Sequence, residues 1–560
     1  MTTVRELRQK YLTFFESKGH ARHASGSLIP FDVTGRLDES LLFNGAGMVQ
    51  FKPYFRGIAE PPSKRLVNAQ KCLRTGDIES VGDTSHLTFF EMLGNFSFGD
   101  YFKKDAIAYS WEFLTSADWL GLDPNRLAFT VFEEDDEAFQ LWAEHVKALG
   151  IDPDTRVFRL SEETNYWPAG AFSSGPPGPC GPNSEMFYWV PAGDPPSTKP
   201  GGYSREDYLR DEAEGRWLEI WNDVFIQFEW QGEPLPEGGH RKTGMPPLPF
   251  QSVDTGMGIE RTVAVLSGSG NVYDTDAFQP IFRAVEKAGS KARYGEGEPT
   301  DRAMRVIADH LRSACFCVAD GVLPSNTGRG YVLRRLLRRA VLKGQRTLGF
   351  SRPFLHELVP AVVENFGDHY VELTEKSALI VETLRSEEAL FRRTLEEGSD
   401  ILKSFLAQRP SPDAPLPGDQ AFKLYDTFGF PIEITRELCD EAGVKVDGFV
   451  FDTQDQEGPT PTLFLGYATT EAPARIVGAL PVVDDSGVAS GPIALALDQT
   501  PFYAESGGQV SDQGEILVAE GTAFAVLDVV RQDGVHVHLV EDPSVAEWIQ
   551  IGRASCRERV

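Results

Sequence analysis

A change of texture along the chain constrains its fold more than any other feature. From Asp274 to about Gly443 long helical patterns run with few breakers, apart from Pro324 to Gly330 and a Pro-rich loop at 410–418; on either side the apolar residues come in short runs bounded by Gly, Pro and Asn. Helices and strands bury different faces, with periods of about 3.6 and 2 residues, so these stretches cannot share one layer. At 560 residues the chain also exceeds the ~250–300 residues at which a single hydrophobic core stops growing. Three domains are expected: residues 1–268, mixing strands and helices; residues 269–445, all helical; and residues 446–550, with short runs such as Ile493–Leu497, Ile516–Ala519 and Ala523–Val530 that suggest a small β-barrel.

Within the first domain, Val4, Leu7, Tyr11, Leu12 and Phe15 repeat at helical spacing and predict an amphipathic helix over residues 4–18. Leu41-Leu42-Phe43 and the run Thr88 to Leu93 read as strands and turns. Helices return at 104–117 and 134–149, and the Gly/Pro-rich segment Gly175 to Asn183 then interrupts the pattern. Two aromatic runs, Met186–Val190 and Leu218–Phe228, read as strands, and the polar insert between them as a surface loop.

Several classes of protein are excluded. No apolar run approaches the ~18–20 residues of a membrane span, and the N-terminus lacks the pattern of a secretory signal, so a cytoplasmic location is expected. Six cysteines without a CxxC pair make neither a disulfide framework nor a zinc site. The net charge of -29 argues against non-specific nucleic-acid binding. Basic residues nevertheless cluster: Arg302, Arg305, Arg312, Arg329, Arg334, Arg335, Arg338, Arg339, Lys343 and Arg346 fall in one stretch with few acids. Arg334, Arg335, Arg338 and Arg339 occupy one sector of a helix whose opposite sector carries Leu333, Leu336, Leu337 and Ala340, a basic face suited to RNA phosphates. The plain alternative, a solvated face balanced by acids, is disfavoured because no Glu or Asp is interleaved.

Two segments carry chemistry. The first is Cys72-Leu-Arg74-Thr-Gly followed by His86 to Phe102. Two strands joined by a loop place Arg74 opposite Phe90, offering a guanidinium to a phosphate and an aromatic face to a purine; taken alone, this is better read as a hairpin with a buried ring and a surface Arg. The second is Val253-Asp254-Thr-Gly256-Met-Gly258-Ile-Glu260-Arg261. Its glycines let a ligand approach the backbone, and Arg261 stands where a strand passes into a helix.

In this order the two segments resemble motifs 2 and 3 of the class II aminoacyl-tRNA synthetases. Leu41 to Phe51, Thr88 to Phe102, Trp221 to Phe228, Arg305 to His310, Asp320 to Arg335 and Leu424 to Pro431 narrow the resemblance to the alanyl-tRNA synthetases, over about residues 5 to 550. The resemblance implies an α+β fold: an antiparallel class II sheet flanked by helices, then an all-helical tRNA-binding domain and a small β-barrel. It implies activation of alanine by ATP with Mg²⁺ to alanyl-adenylate, then transfer to the 3′ end of tRNA-Ala. Arg74, Arg261, Glu91 and Glu185 are the implied catalytic residues. ATP would meet Arg74, Phe90, Gly256, Gly258 and Arg261; alanine would meet Trp167, Val224, Asp254 and Gly256, with the Asp254 carboxylate on its ammonium. Asn326 and Asp426 would read a G·U pair of the acceptor stem, beside Arg334, Arg335, Arg338 and Arg339.

A pocket for one methyl group discriminates by only ~1–3 kcal/mol. The family proofreads in a zinc-bearing domain with HxxxH and CxxxH ligands, which this sequence lacks; the chain is therefore expected to be the front part of a longer protein, with zinc belonging only to the missing domain, and monomeric as it stands. Ile551 to Val560 resembles a translated sequencing adapter and is expected to carry no function. The stretch 445–461 looks shortened against the family and predicts weaker packing between the helical and barrel domains. The rival reading is a catalytically inactive, synthetase-like tRNA-binding module; loss of Arg74, Asp254 or Arg261 would favour it, and all three are present.

Overall fold

A computed structural model of the chain describes residues 2–38, 41–169, 171–172, 177–234, 240–409, 411, 414–426, 430 and 432–446, and then the short stretches 463–464, 471–474, 476–481, 493–497, 499–500, 502, 514–517, 523–532, 535–540 and 554–558. It divides into two compact units, residues 1–233 with 240–388, and residues 234–239 with 389–560.

The first unit is built on a ten-stranded sheet of β1 (Ala21–Arg22), β2 (Arg65–Leu73), β3 (Phe89–Phe98), β4 (Leu127–Phe132), β5 (Val157–Leu160), β6 (Tyr166–Trp167), β7 (Gly178–Trp189), β8 (Trp217–Pro234), β9 (His240–Gly244) and β10 (Pro247–Gly258). The order is β1-β2-β3-β10-β8-β7-β4-β5, with β6 on β7 and β9 on β8. The centre is antiparallel, as expected, but both edges, β1 on β2 and β4 on β5, are parallel, so the sheet is mixed.

The helix expected at 4–18 is α1 (Val4–Ser17), started by a capping box in which Thr3 and Glu6 satisfy each other's backbone. Its Leu7, Tyr11, Phe14 and Phe15 are buried, each such side chain contributing about 1.5–3 kcal/mol. Tyr11 reaches across to Asn95 of β3, 2.8 Å from its Oδ1. The remaining helices of the sheet region are α2 (Lys52–Phe55), α3 (Lys103–Thr115), α4 (Asp136–Lys147), α5 (Glu162–Asn165), α6 (Arg205–Ala213) and α7 (Ile259–Ser267). Helix α6 lies inside the insert expected to be only a loop, and Leu41-Leu42-Phe43 forms no strand.

The Gly/Pro segment is itself the beginning of β7. Its register with β8 shifts between Cys180 and Asn183, the kind of irregularity that lets Pro sit in a sheet. A Cβ on Gly181 would lie 2.0 Å from the Phe225 carbonyl oxygen, so only glycine permits the two backbones to approach so closely there.

The rest of the first unit is helical: α8 (Gln279–Lys287), α9 (Thr300–Ala319), α10 (Gly328–Arg346), α11 (Leu355–Phe366), α12 (Val371–Glu375) and the start of α13 (Ser377–Ala407). Helix α9 is buried from Ala303 to Ala319. Phe316 stacks on Phe89 of β3 with ring centroids 4.0 Å apart, and Arg312 pairs with Glu260 at 2.7 Å with both side chains buried. These contacts make α8–α12 one compact body with the sheet, so compactness does not break at the expected boundary of 268/269.

In the second unit, the remainder of α13 precedes α14 (Gly418–Asp426) and α15 (Ile432–Glu441). Among the described residues nine strands follow: β11 (Leu463–Phe464), β12 (Glu471–Ala474), β13 (Ile476–Pro481), β14 (Ile493–Leu497), β15 (Gln499–Thr500), β16 (Gly514–Leu517), β17 (Ala523–Gln532), β18 (Val535–Val540) and β19 (Ala554–Glu558). Seven of them form an antiparallel sheet in the order β12-β19-β16-β17-β18-β14-β13. The adapter-like terminus contributes β19. Most of 445–461 lies outside the described residues.

Candidate functional site

Strand alternation sorts the site. Register pairs Met92 with Gly258, Asp254 with Phe96 and Val224, Gly256 with Asn222, and Glu185 with Asn222. Since residues two apart share a face, Phe90, Met92, Asp254, Gly256, Gly258, Asn222, Val224 and Glu185 present to one side of the sheet. The alternate residues face α1 and α3: Thr255 meets Tyr11, and Asp223 accepts from Ser110 at 2.8 Å.

At one end of this face Arg74, just beyond β2, lays its guanidinium 4.9 Å from the centre of the Phe90 ring and donates from Nε to the Gly45 carbonyl at 3.2 Å. Arg261, in the first turn of α7, is held 3.0 Å from Glu219 by an ion pair about one-third exposed on each side. Glu185 accepts from Thr130 at 3.3 Å and from Asn222 at 3.4 Å. Burial, then the nearby Glu219 charge, push its carboxyl well above the usual range, with Arg261 opposing. A Cβ on Gly256 would come within 2.7 Å of Met92 Sδ, so glycine keeps the floor between β3 and β8 flat.

Asp254 differs from every other acid on this face. It is buried, and its Oδ1 has no hydrogen-bond partner among the described residues. Burial, reinforced by Asp223, drives its carboxyl well above the ordinary value. Its neighbour across the ladder, Val224, belongs to an apolar cluster with Met48, Phe51, Phe96 and Ile226, against which Trp167 packs. A buried carboxylate without a partner is costly. A small cationic group beside an apolar wall relieves it.

The sequence pattern described as tRNA synthetases class II (A) matches residues 6–460 and 452–554. The chain belongs to this family. It is 43% identical over 582 residues to an alanine–tRNA ligase of Hyphomonas neptunium, covering 97% of this chain and 61% of the relative. Proteins of the same description from Thermus thermophilus (44% identical, 95% of this chain, 61% of the relative) and Bacillus subtilis (41%, 98% and 62%) are similarly close. The chain thus spans about three fifths of the length of the curated relatives it matches.

Against this family frame, Glu91 is a correction. One residue from Phe90, it points to the opposite face, where Arg8 donates to it at 2.8 and 2.7 Å and Tyr370 at 2.8 Å. Burial alone would raise its carboxyl; Arg8 overrides this and holds it below the usual range. Both of its oxygens are occupied inside the core.

The basic stretch is corrected in part. Arg312 is buried against Glu260, and Arg305 is largely buried, donating to the Gly82 carbonyl at 3.1 Å. On α10 the leucines and Ala340 are buried as expected, but acids from elsewhere balance the arginines: Arg334 and Arg338 approach Glu387 at 3.1 and 3.3 Å, while Arg335 and Arg339 approach Glu79 at 2.5 and 2.6 Å. Asn326 accepts from Arg334. Asp426 ends α14, and its side chain lies outside the described residues.

Sequence reading missed Glu219, Asn222 and Glu79. Strand parity with Val224 signals Asn222; Glu219 and Glu79 become visible only once distant segments are brought together.

Proposed function

We propose that the chain is an alanine–tRNA ligase module: it joins alanine to AMP at the expense of ATP and transfers the alanyl group to the 3′ end of tRNA-Ala. The single observation that carries this reading is the buried, unpartnered Asp254 carboxylate beside Val224 and Trp167, on the same sheet face as Arg74, Phe90, Glu185 and Arg261. The relatives described as alanine–tRNA ligases support the choice of amino acid.

In this reading the substrate ammonium takes Asp254, and the methyl group takes the apolar wall. Adenine exchanges places with the Arg74 guanidinium on Phe90, which frees Arg74 for the phosphates. Arg261 leaves Glu219 for the same anion, and the charge accumulating at the α-phosphate is neutralised from two sides. Gly256 and Gly258 admit the nucleotide close to the backbone.

Mg²⁺ fits the acids present. Burial and the Glu219 charge raise the cost of ionising Glu185, which a divalent cation relieves, and two carboxylates plus substrate phosphates make an ordinary Mg²⁺ environment. Glu185 and Glu219 would hold it; bound, it would neutralise the leaving pyrophosphate. In the first unit, α8–α12 would serve tRNA recognition, with Asn326 and the α10 arginines on the acceptor stem; in the second, Asp426 would be an acceptor-stem residue in its own right, and the seven-stranded sheet would be the small β-barrel. Among the described residues no helix is long and apolar enough to cross a membrane; a tRNA ligase would work in the cytoplasm, here as a monomer.

Alanine-dependent ATP–pyrophosphate exchange tests the reading, with serine and glycine for comparison. Asp254→Ala is expected to abolish exchange in folded protein. Exchange unaltered in that variant would remove the amino-acid assignment, and silence of the wild-type protein would favour the inactive tRNA-binding module.

A further inference from the structure

Arg334, Arg335, Arg338 and Arg339 of α10 are neutralised by two acids of very different character. The Glu387 side chain, shared by Arg334 and Arg338, is only 6% exposed, whereas Glu79, shared by Arg335 and Arg339, is 66% exposed. A buried shared carboxylate is a fixed part of the fold. An exposed one, held by pairs that are individually weak and screened by salt, is displaceable by a stronger anion.

Glu79 sits in the turn between β2 and β3, five residues after Arg74. The second half of that turn is fastened independently: Arg305 holds the Gly82 carbonyl at 3.1 Å, Val272 N donates to Thr84 O at 3.0 Å, Tyr273 holds His86 O at 2.8 Å, and Thr88 N donates to Asp309 at 2.9 Å. The first half is anchored by the buried Ile78 and Val81, and at Arg74 by a bond from its N to Thr88 O at 2.9 Å; from it the exposed Glu79 reaches out to α10.

We propose that Glu79 is a built-in competitor of RNA: its carboxylate occupies Arg335 and Arg339, and a backbone phosphate of the acceptor stem takes its place. The inference rests on the tRNA-ligase reading. It makes Glu79 a gate on the basic helix, whose two outer arginines bind RNA only after giving up this carboxylate. RNA is favoured over an acidic protein segment because a phosphate chain presents anions that Arg binds bidentately.

The test uses the full chain, a tRNA-Ala acceptor-stem hairpin, and the variants Glu79→Gln and Arg335→Gln/Arg339→Gln. Removing the internal competitor is expected to tighten hairpin binding about 2- to 5-fold, the range of an exposed pair. The double arginine variant should bind the hairpin more weakly. A purely structural Glu79 would leave hairpin affinity unchanged or weakened in Glu79→Gln, and that result overturns the proposal. The functional reading fails separately, if the wild-type chain neither binds the hairpin nor shows alanine-dependent exchange.

Discussion

Glu91→Gln converts the buried pair with Arg8 into a buried guanidinium facing a neutral amide. Both side chains are almost wholly excluded from solvent, at 4% for Arg8 and 0% for Glu91, so solvent screening does not soften the loss. Removing one partner of such a pair costs about 3–5 kcal/mol. Gln keeps one carbonyl oxygen for the Arg8 donors, which points to the lower end, about 3 kcal/mol, or about a 150-fold change in the folding equilibrium. Urea unfolding at pH 7, followed by tryptophan fluorescence, reads the change in the first unit. The pH dependence has a defined sign. The folded Glu91 carboxyl lies below its ordinary value, so its stabilisation is fully present above the unfolded value of about 4.3 and is lost as pH falls through the folded one. The gap between wild type and variant should therefore narrow at low pH. Replacing both partners, Arg8→Met with Glu91→Leu, should recover much of the stability, because no charge is left stranded. A single variant within about 0.5 kcal/mol of wild type, the range of an ordinary surface substitution, would refute the assignment of Glu91 to the core.

Gly181→Ala should destabilise the first unit by at least about 1–3 kcal/mol, the usual cost of overpacking, since its Cβ would meet backbone and not a movable side chain; unfolding indistinguishable from wild type would show that β7 and β8 do not approach so closely. Asp223→Asn tests the opposite pH sign. Burial raises the Asp223 carboxyl to about 8, so the folded state retains a proton and wild-type stability is lost as pH rises from about 3.9 to the folded value. The variant should gain on wild type between pH 5 and 8, and a difference constant across that window would contradict the argument.

What was legible in the sequence is what neighbouring residues determine. Helix α1 and helices α3 and α4 follow from apolar spacing, and Arg74 beside Phe90 follows from a hairpin register. Strand parity held more than was read from it: Phe90 and Glu91 alternate, so the ring and the carboxylate cannot serve the same face. The beginning of β7 was hidden because Gly and Pro signal a break when the tight approach of β8 is not known. The partners of the arginines were hidden for a deeper reason. Glu79 precedes Arg339 by 260 residues, and local charge pattern carries no information about such a pair.

That distant pairing changes how the site must work. Arg74 rests on an aromatic ring, Arg261 on Glu219, and Arg335 and Arg339 on Glu79; each phosphate contact proposed at these positions would be an exchange of partners whose net gain is the difference between two interactions. Asp254 is the exception. Its Oδ1 surrenders no existing hydrogen bond when a cation arrives, so what an ammonium must offset there is the cost of ionising a buried carboxyl, not the loss of a partner. On the proposed reading, amino-acid recognition would be set chiefly at Asp254 and its apolar wall, while the arginines would govern when nucleotide and RNA are engaged.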